Sequence, residues 1–198
     1  MKTETLQLPP PTLKGNLSLE EALCRRRSTR AYREERLPDE VIGQLLWAAQ
    51  GVVEQGEATR RTAPSAGARY PLETYIATAV LLGHYRPVRH TLRVLRRTDV
   101  RPELEVAALG QEFIHQASAV IVLTSVARRI EERYGKSRGA RYIAMEAGHA
   151  AQNVMLQAVA LGLASVPIGA FRDAHVAEIL KLGPDERPIY MLAVGRAA

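Results

Sequence analysis

Five arginines, a few hydroxyls and one run of very small residues carry most of the chemistry open to this 198-residue chain. In "CRRRSTRAY", Arg25, Arg26, Arg27, Ser28 and Arg30 crowd the end of a predicted first helix. Guanidinium forks and a hydroxyl within about one turn offer converging donors for a phosphate. The same residues also suit a solvated basic helix end, which the helix dipole favours without any ligand. In "TAPSAGARYPLETYIATAVLL", Thr62 to Leu82, the run Pro64, Ser65, Ala66, Gly67, Ala68 precedes Arg69, Tyr70 and Pro71. Side chains this small let another backbone or a flat ligand approach closely. Glu146, His149 and Asn153 recur at helical spacing in "MEAGHAAQNVMLQAVALGL". A lone helical histidine without a second nearby does not make a metal site. "VPIGAF", Val166 to Phe171, is a Pro and Gly break where backbone amides could meet a ligand, and Arg196 offers one more cation.

The elements that must position these residues follow from periodicity and punctuation. Residues 1–16, with Pro9-Pro10-Pro11, read as an extended arm, either a frayed terminus or a strap across a neighbour. Ser18 with Glu21 is a capping box that opens a helix to about Arg27. Pro38, Asp39 and Glu40 open a second helix with Ile42, Leu45, Leu46 and Ala49 on one face, ending near Gly51. A polar loop over 54–68 leads into a strand from Leu72 to Leu82, a turn at Gly83 and an antiparallel partner near Arg89 to Leu95. Residues 102–117 read as helix and Ser118 to Val126 as a strand buried on both faces. Tyr142 to Leu163 reads as a long helix apolar nearly all round, which needs cover on more than one side; a subunit interface supplies it. Asp173 to Leu180 is a short helix and Pro188 to Gly195 a closing strand. No linker or repeat divides the chain, so the expectation is one α+β domain, residues 17–198, with helices packed around a mostly antiparallel sheet.

Composition narrows the function classes. The chain is 46% hydrophobic and 24% charged, with a formal net charge of +6, nearly all of its positive charge being arginine. The basic residues are interleaved with acids rather than blocked, and no nucleic-acid recognition motif is present, so nucleic acid is not the expected partner. A single cysteine, Cys24, excludes an internal disulfide and reads as a small core residue of the first helix. No apolar run reaches the roughly 20 residues of a membrane span, and the start lacks the apolar core of a secretory signal; a cytoplasmic protein is expected. Glycine-rich nucleotide fingerprints, phosphate loops and serine elbows are absent, which removes support from kinase and hydrolase readings.

Taken in order, "RRSTRAY", "PSAGARYPLE", "EAGHAAQN", "GLASVPIGAF" and the closing "VGR" resemble the nitroreductase superfamily of flavin enzymes over about Leu17 to Arg196. The "PSAGxxYPLE" form is similar to its SagB-type branch, which includes the dehydrogenases and oxidases of thiazole and oxazole formation. The resemblance implies an intertwined homodimer with FMN at the subunit interface and NADH or NADPH as a possible reductant. It implies that Arg26, Arg27, Ser28, Arg30 and Arg196 hold the phosphate and ribityl chain. Pro64, Ser65, Ala66 and Gly67 would lie along the ring, with Asn153 near it and Pro167, Ile168 and Gly169 contributed by the other subunit. Ping-pong hydride transfer to and from a small molecule would follow, with Arg69 stabilising the reduced ring and Tyr70 as an acid, a base or a positioning residue. The chain departs from the family at Ala68, where many members have Asn, at Gly169, where many are acidic, and at Arg69-Tyr70, where azole-forming enzymes carry Lys-Tyr or Leu-Tyr. A flavin-binding protein without turnover and a basic nucleic-acid-binding module are the alternatives.

Overall fold

The computed structural model describes residues 4–54 and 59–198. In chain order the elements are β1 (Thr5–Gln7), α1 (Leu19–Arg25), α2 (Asp39–Gln50), β2 (Val52–Glu54), β3 (Arg60–Arg61), β4 (Leu72–Thr78), β5 (Leu82–Arg86) and β6 (Thr91–Arg96), followed by α3 (Arg101–Ala107), α4 (Phe113–Gln116), β7 (Ala119–Val126), α5 (Arg128–Ala160), β8 (Ala164–Ile168), α6 (Asp173–Leu180) and β9 (Glu186–Gly195). Seven strands form one sheet in the order β1-β6-β5-β4-β7-β9-β8, every pairing antiparallel. Strands β2 and β3 make a small separate hairpin.

Period-2 alternation assigns the two faces. Ala119, Ile121 and Leu123 of β7 pack with Leu45, Leu46, Ala147 and Val154 of α2 and α5. Val120 and Val122 point the other way, toward Val100, Leu104, Ile114, Val176 and Leu180 around α3, α4 and α6. The central strand is thus apolar on both faces because helices lie on both, as its sequence predicted. Ser18 caps α1 by accepting from Glu21 N at 3.1 Å, a contact type that stabilises a helix by about 1 kcal/mol.

Several expectations are corrected. The arm is tied to its own chain over its described part: β1 is the edge strand of the sheet, Leu8 is buried, and Thr12 exchanges hydrogen bonds with Gln44 at 2.8 and 3.0 Å. The hairpin turns at Ala79–Leu81, not at Gly83. Thr78 Oγ1 accepts from Val80 N and Leu81 N, so a threonine does the work expected of a glycine. Gly83 lies inside β5, where a Cβ would stand 2.5 Å from Leu92 Cγ. The 102–117 helix is two short ones, separated where Leu109 and Gly110 take φ of 64° and 77°. "VPIGAF" opens as strand β8 rather than as a break; its Pro167 is tolerated because β8 is an edge. Part of the 54–68 loop, residues 55–58, lies outside the described residues. Cys24 is exposed, since α1 buries only Ala22. No helix among the described residues is long and apolar enough to cross a membrane.

Candidate functional site

The arginine segment is stitched to the end of the sheet. Thr29 N donates to Ser165 O at 3.1 Å, Ser28 and Ser165 form a parallel bridge, and Arg33 N donates to Arg196 O at 3.0 Å. Tyr32 anchors the stitch from inside, its hydroxyl donating to Ala193 O at 3.1 Å. An open cleft of about 470 Å³ results, lined by Arg25, Arg26, Arg27, Thr29 and Ser165 and by the C-terminal end of α5. Arg25 is held by Glu21, whereas Arg26 and Arg27 have no carboxylate partner among the described residues. Arg196 is paired with Glu35 at 2.9 Å, and Arg30 leans over the Phe113 ring at 5.9 Å. Two unpaired guanidinium groups beside a serine and a threonine fit a phosphate; Arg196 would have to exchange Glu35 for it.

The small-residue loop is bent sharply. Gly67, Ala68 and Tyr70 all take positive φ, 61°, 52° and 45°. Such a conformation is uncommon for alanine and an outlier for tyrosine, so the surroundings must hold it. Ser65 is the hub: its carbonyl accepts from Ala68 N at 3.0 Å and its hydroxyl from Tyr70 N at 2.8 Å. Gly67 suits this bend, since a Cβ there would lie 2.7 Å from Tyr134 Oη. Pro64 and Gly67 stay exposed.

Beneath the loop lies a buried polar cluster that the sequence reading saw only at Glu146. Glu146 is 2% exposed; its Oε1 accepts from Gln50 Nε2 at 3.5 Å, and Ser65 is a further hydrogen-bond partner. Gln50 Oε1 in turn accepts from Arg61 Nη1 at 3.1 Å, and Arg61 Cζ sits 4.4 Å from the centre of the Tyr70 ring. Glu146 Oε2 and Arg61 Nε are buried without a partner. Burial pushes the Glu146 carboxyl up to about 7, with Ser65, the Arg61 charge and Gln50 pulling the other way. A neutral acid explains the orphan oxygen, because an ionised one there would be costly.

The structure gathers some predicted residues and separates others. Arg26 and Arg27 line the cleft with the start of β8, and Ser28 bridges Ser165, two residues before Pro167, while the Arg196 side chain turns to Glu35. Ile168 is buried in the core, which leaves only its backbone for a ligand. Asn153 spends its amide on Thr62 O at 3.2 Å, pinning the loop's approach. His149 is exposed while Glu146 is buried, so they do not share a working face. The Tyr70 hydroxyl accepts from Arg61 N at 3.2 Å, and Arg69 is exposed. Loop and cleft lie toward different parts of α5: Glu146 to Val159, at 1.5 Å per residue, is about 20 Å.

Comparison with known proteins bears on family and fold. Residues 23–196 match the nitroreductase family model. A candidate nitroreductase of Methanocaldococcus jannaschii is 39% identical over 199 residues, covering 98% of each chain. The crystal structure of a candidate nitroreductase from Ralstonia eutropha shares 32% identity and a TM-score of 0.87, over 98% of this chain and 90% of that one. At the level of fold alone, the NADPH:FMN oxidoreductase of Vibrio harveyi, solved with NAD+, matches 90% of this chain and 68% of its own with a TM-score of 0.68 and 19% identity. With its residues 23–196 matched and its whole length aligned to such relatives, the chain belongs to the nitroreductase family.

Proposed function

We propose that the protein is an FMN-dependent oxidoreductase that works as a homodimer, passing hydride in ping-pong fashion between NADH or NADPH and a small-molecule acceptor. The observation that carries this reading is the stitched cleft in which Arg26 and Arg27 stand without carboxylate partners beside Thr29 and Ser165. When bound, FMN supplies a ring that accepts hydride and returns it. The chain's own part is to bind and to orient. Arg26 and Arg27 would neutralise a phosphate, helped by Ser28 and Arg30, which follow them in sequence. Pro64 and Gly67, exposed on either side of half-buried Ser65 and Ala66, offer a surface without bulky side chains, and Arg69 is the cation available at its edge. Tyr70, whose hydroxyl accepts from Arg61 N and keeps its own proton to donate, would serve as an acid, a base or a positioning residue.

Two observations support a dimer. The separation of about 20 Å along α5 exceeds the distance from a flavin phosphate to the middle of its ring, so the loop of one copy would serve the cleft of the other. Leu19 and Leu23 on one face of α1 and Met145 on α5 are 61%, 51% and 52% exposed, large apolar side chains that a second copy would cover.

The purified protein should show flavin absorption bands and release FMN at about one per chain, and NADH or NADPH should bleach them without oxygen. Arg26→Ala with Arg27→Ala should weaken FMN binding about tenfold or more, the usual value of a charge-assisted contact. A colourless protein that takes up no added FMN overturns the reading. Bound flavin that neither nucleotide reduces makes the protein a flavin carrier instead.

A further inference from the structure

Helices cover the α3/α6 face of the sheet only in part. At the β4-β5-β6-β1 end, cross-strand register brings polar side chains into rows. Tyr75 lies opposite His84, His84 opposite Arg93, and Arg93 opposite Thr5; the next row runs Arg86, Thr91, Gln7. Of these residues Thr5, Gln7, Arg86, Thr91 and Arg93 line an open cleft of about 1090 Å³, which also reaches Arg69 and Tyr70 at the end of the small-residue loop.

Six arginines line the cleft: Arg61, Arg69, Arg86, Arg89, Arg93 and Arg129. Its one carboxylate, Glu73, is already committed, with Oε2 2.7 Å from His84 Nε2 and Oε1 bonded to Arg129. Arg129 also donates to Tyr70 O at 3.1 Å, which ties the cleft to the loop. Arg69, Arg86, Arg89 and Arg93 have no carboxylate partner among the described residues. Like charges gathered in a concavity repel one another and raise the local potential, which an anion relieves.

We infer that this cleft binds a small molecule carrying two or more carboxylate or phosphate groups, and that this molecule is the reaction's substrate. The binding inference rests on the cleft alone; the substrate role rests on the oxidoreductase reading above. The cleft's size suits a small ligand. Guanidinium forks match carboxylate and phosphate oxygens in pairs. Nucleic acid is disfavoured because its bases need open aromatic faces, and the Tyr70 ring already carries Arg61 at 4.4 Å.

The test is calorimetric titration of the protein as purified, its flavin content measured first, with pyrophosphate and with citrate at low and high salt. Saturable binding of either probe is expected, weakened by salt, and weakened about tenfold or more in Arg86→Gln with Arg93→Gln. Both residues are exposed surface positions, so the variant should keep its flavin; Arg89→Gln, on the hairpin turn, is a second reporter. Pyrophosphate alone points to a phosphorylated ligand, and citrate alone to a polycarboxylate. If neither probe binds, if the variants bind as tightly as wild type, or if duplex DNA displaces both probes, the inference is overturned. A yellow protein without anion binding removes this inference only. A colourless protein that binds anions keeps the cleft assignment and removes the redox role.

Discussion

Glu146→Gln isolates the buried carboxyl beneath the small-residue loop. The native carboxyl titrates near 7 against an ordinary value of 4.5. Between those values the folded chain holds a proton that the unfolded chain has released, so stability falls as pH rises through this window. At 1.36 kcal/mol per unit, the full loss is about 3 kcal/mol, complete by about pH 8. Glutamine keeps the shape and the polar contact to Gln50 but cannot ionise. Urea unfolding of wild type and variant at pH 4.5 and pH 8, at fixed protein concentration and without added flavin, gives the comparison. Other titrating groups contribute equally to both proteins and cancel. The variant should gain about 3 kcal/mol relative to wild type across the window. A difference that stays constant with pH refutes the neutral, buried acid, and with it the explanation of the unpartnered Oε2.

Glu73 should behave with the opposite sign. Burial works against its charge, but His84 and Arg129 hold its carboxyl down to about 2, so it stabilises the fold above pH 4.5 and loses that contribution as pH falls toward 2. Glu73→Gln should therefore cost about 3 kcal/mol near pH 6 in urea unfolding and little near pH 2; equal costs at both would refute the pairing. Gly83→Ala should destabilise by about 1 to 3 kcal/mol through overpacking against Leu92, read as a lower urea midpoint at unchanged slope. Gly67→Ala should cost about 1 to 2 kcal/mol from its left-handed backbone and more from contact with Tyr134. Tyr134→Phe in the same chain should recover the contact part in thermal unfolding, and no recovery would show that strain alone is responsible.

Local chemistry was the legible part of the sequence. Ser18 and Glu21 announced α1, Pro38 with its two acids announced α2, and the apolar run before Val126 announced β7, because each signal acts within a few residues. Residue types alone singled out the small-residue loop and the arginine segment, and the family resemblance suggested a ligand for them. What stayed hidden depends on partners far along the chain. Gly83 looked like a turn until Leu92 arrived across the strand pair, and "VPIGAF" looked like a break until β9 paired with it. Asn153 was placed near a ligand by position, yet Thr62 claims its amide. Arg61, Gln50, Glu73 and Arg129 went unnoticed, as single polar residues carry no periodic signal. Alternation over β4 to β6 could have exposed the polar floor, had the hairpin been placed correctly.

The strand order has a bearing on how the molecule is made. β9, the most C-terminal element, lies between β7 and β8, and the central strand borrows one whole side of its ladder from it. On a translating ribosome, β1 and β4 to β7 can associate early, while β8 waits without its partner strand in the sheet until residues 186–195 emerge. A truncated product missing them would carry the bare flank of an apolar strand, a template for aggregation and a target for proteolysis. Emergence of residues 186–195 is thus the step that closes the sheet.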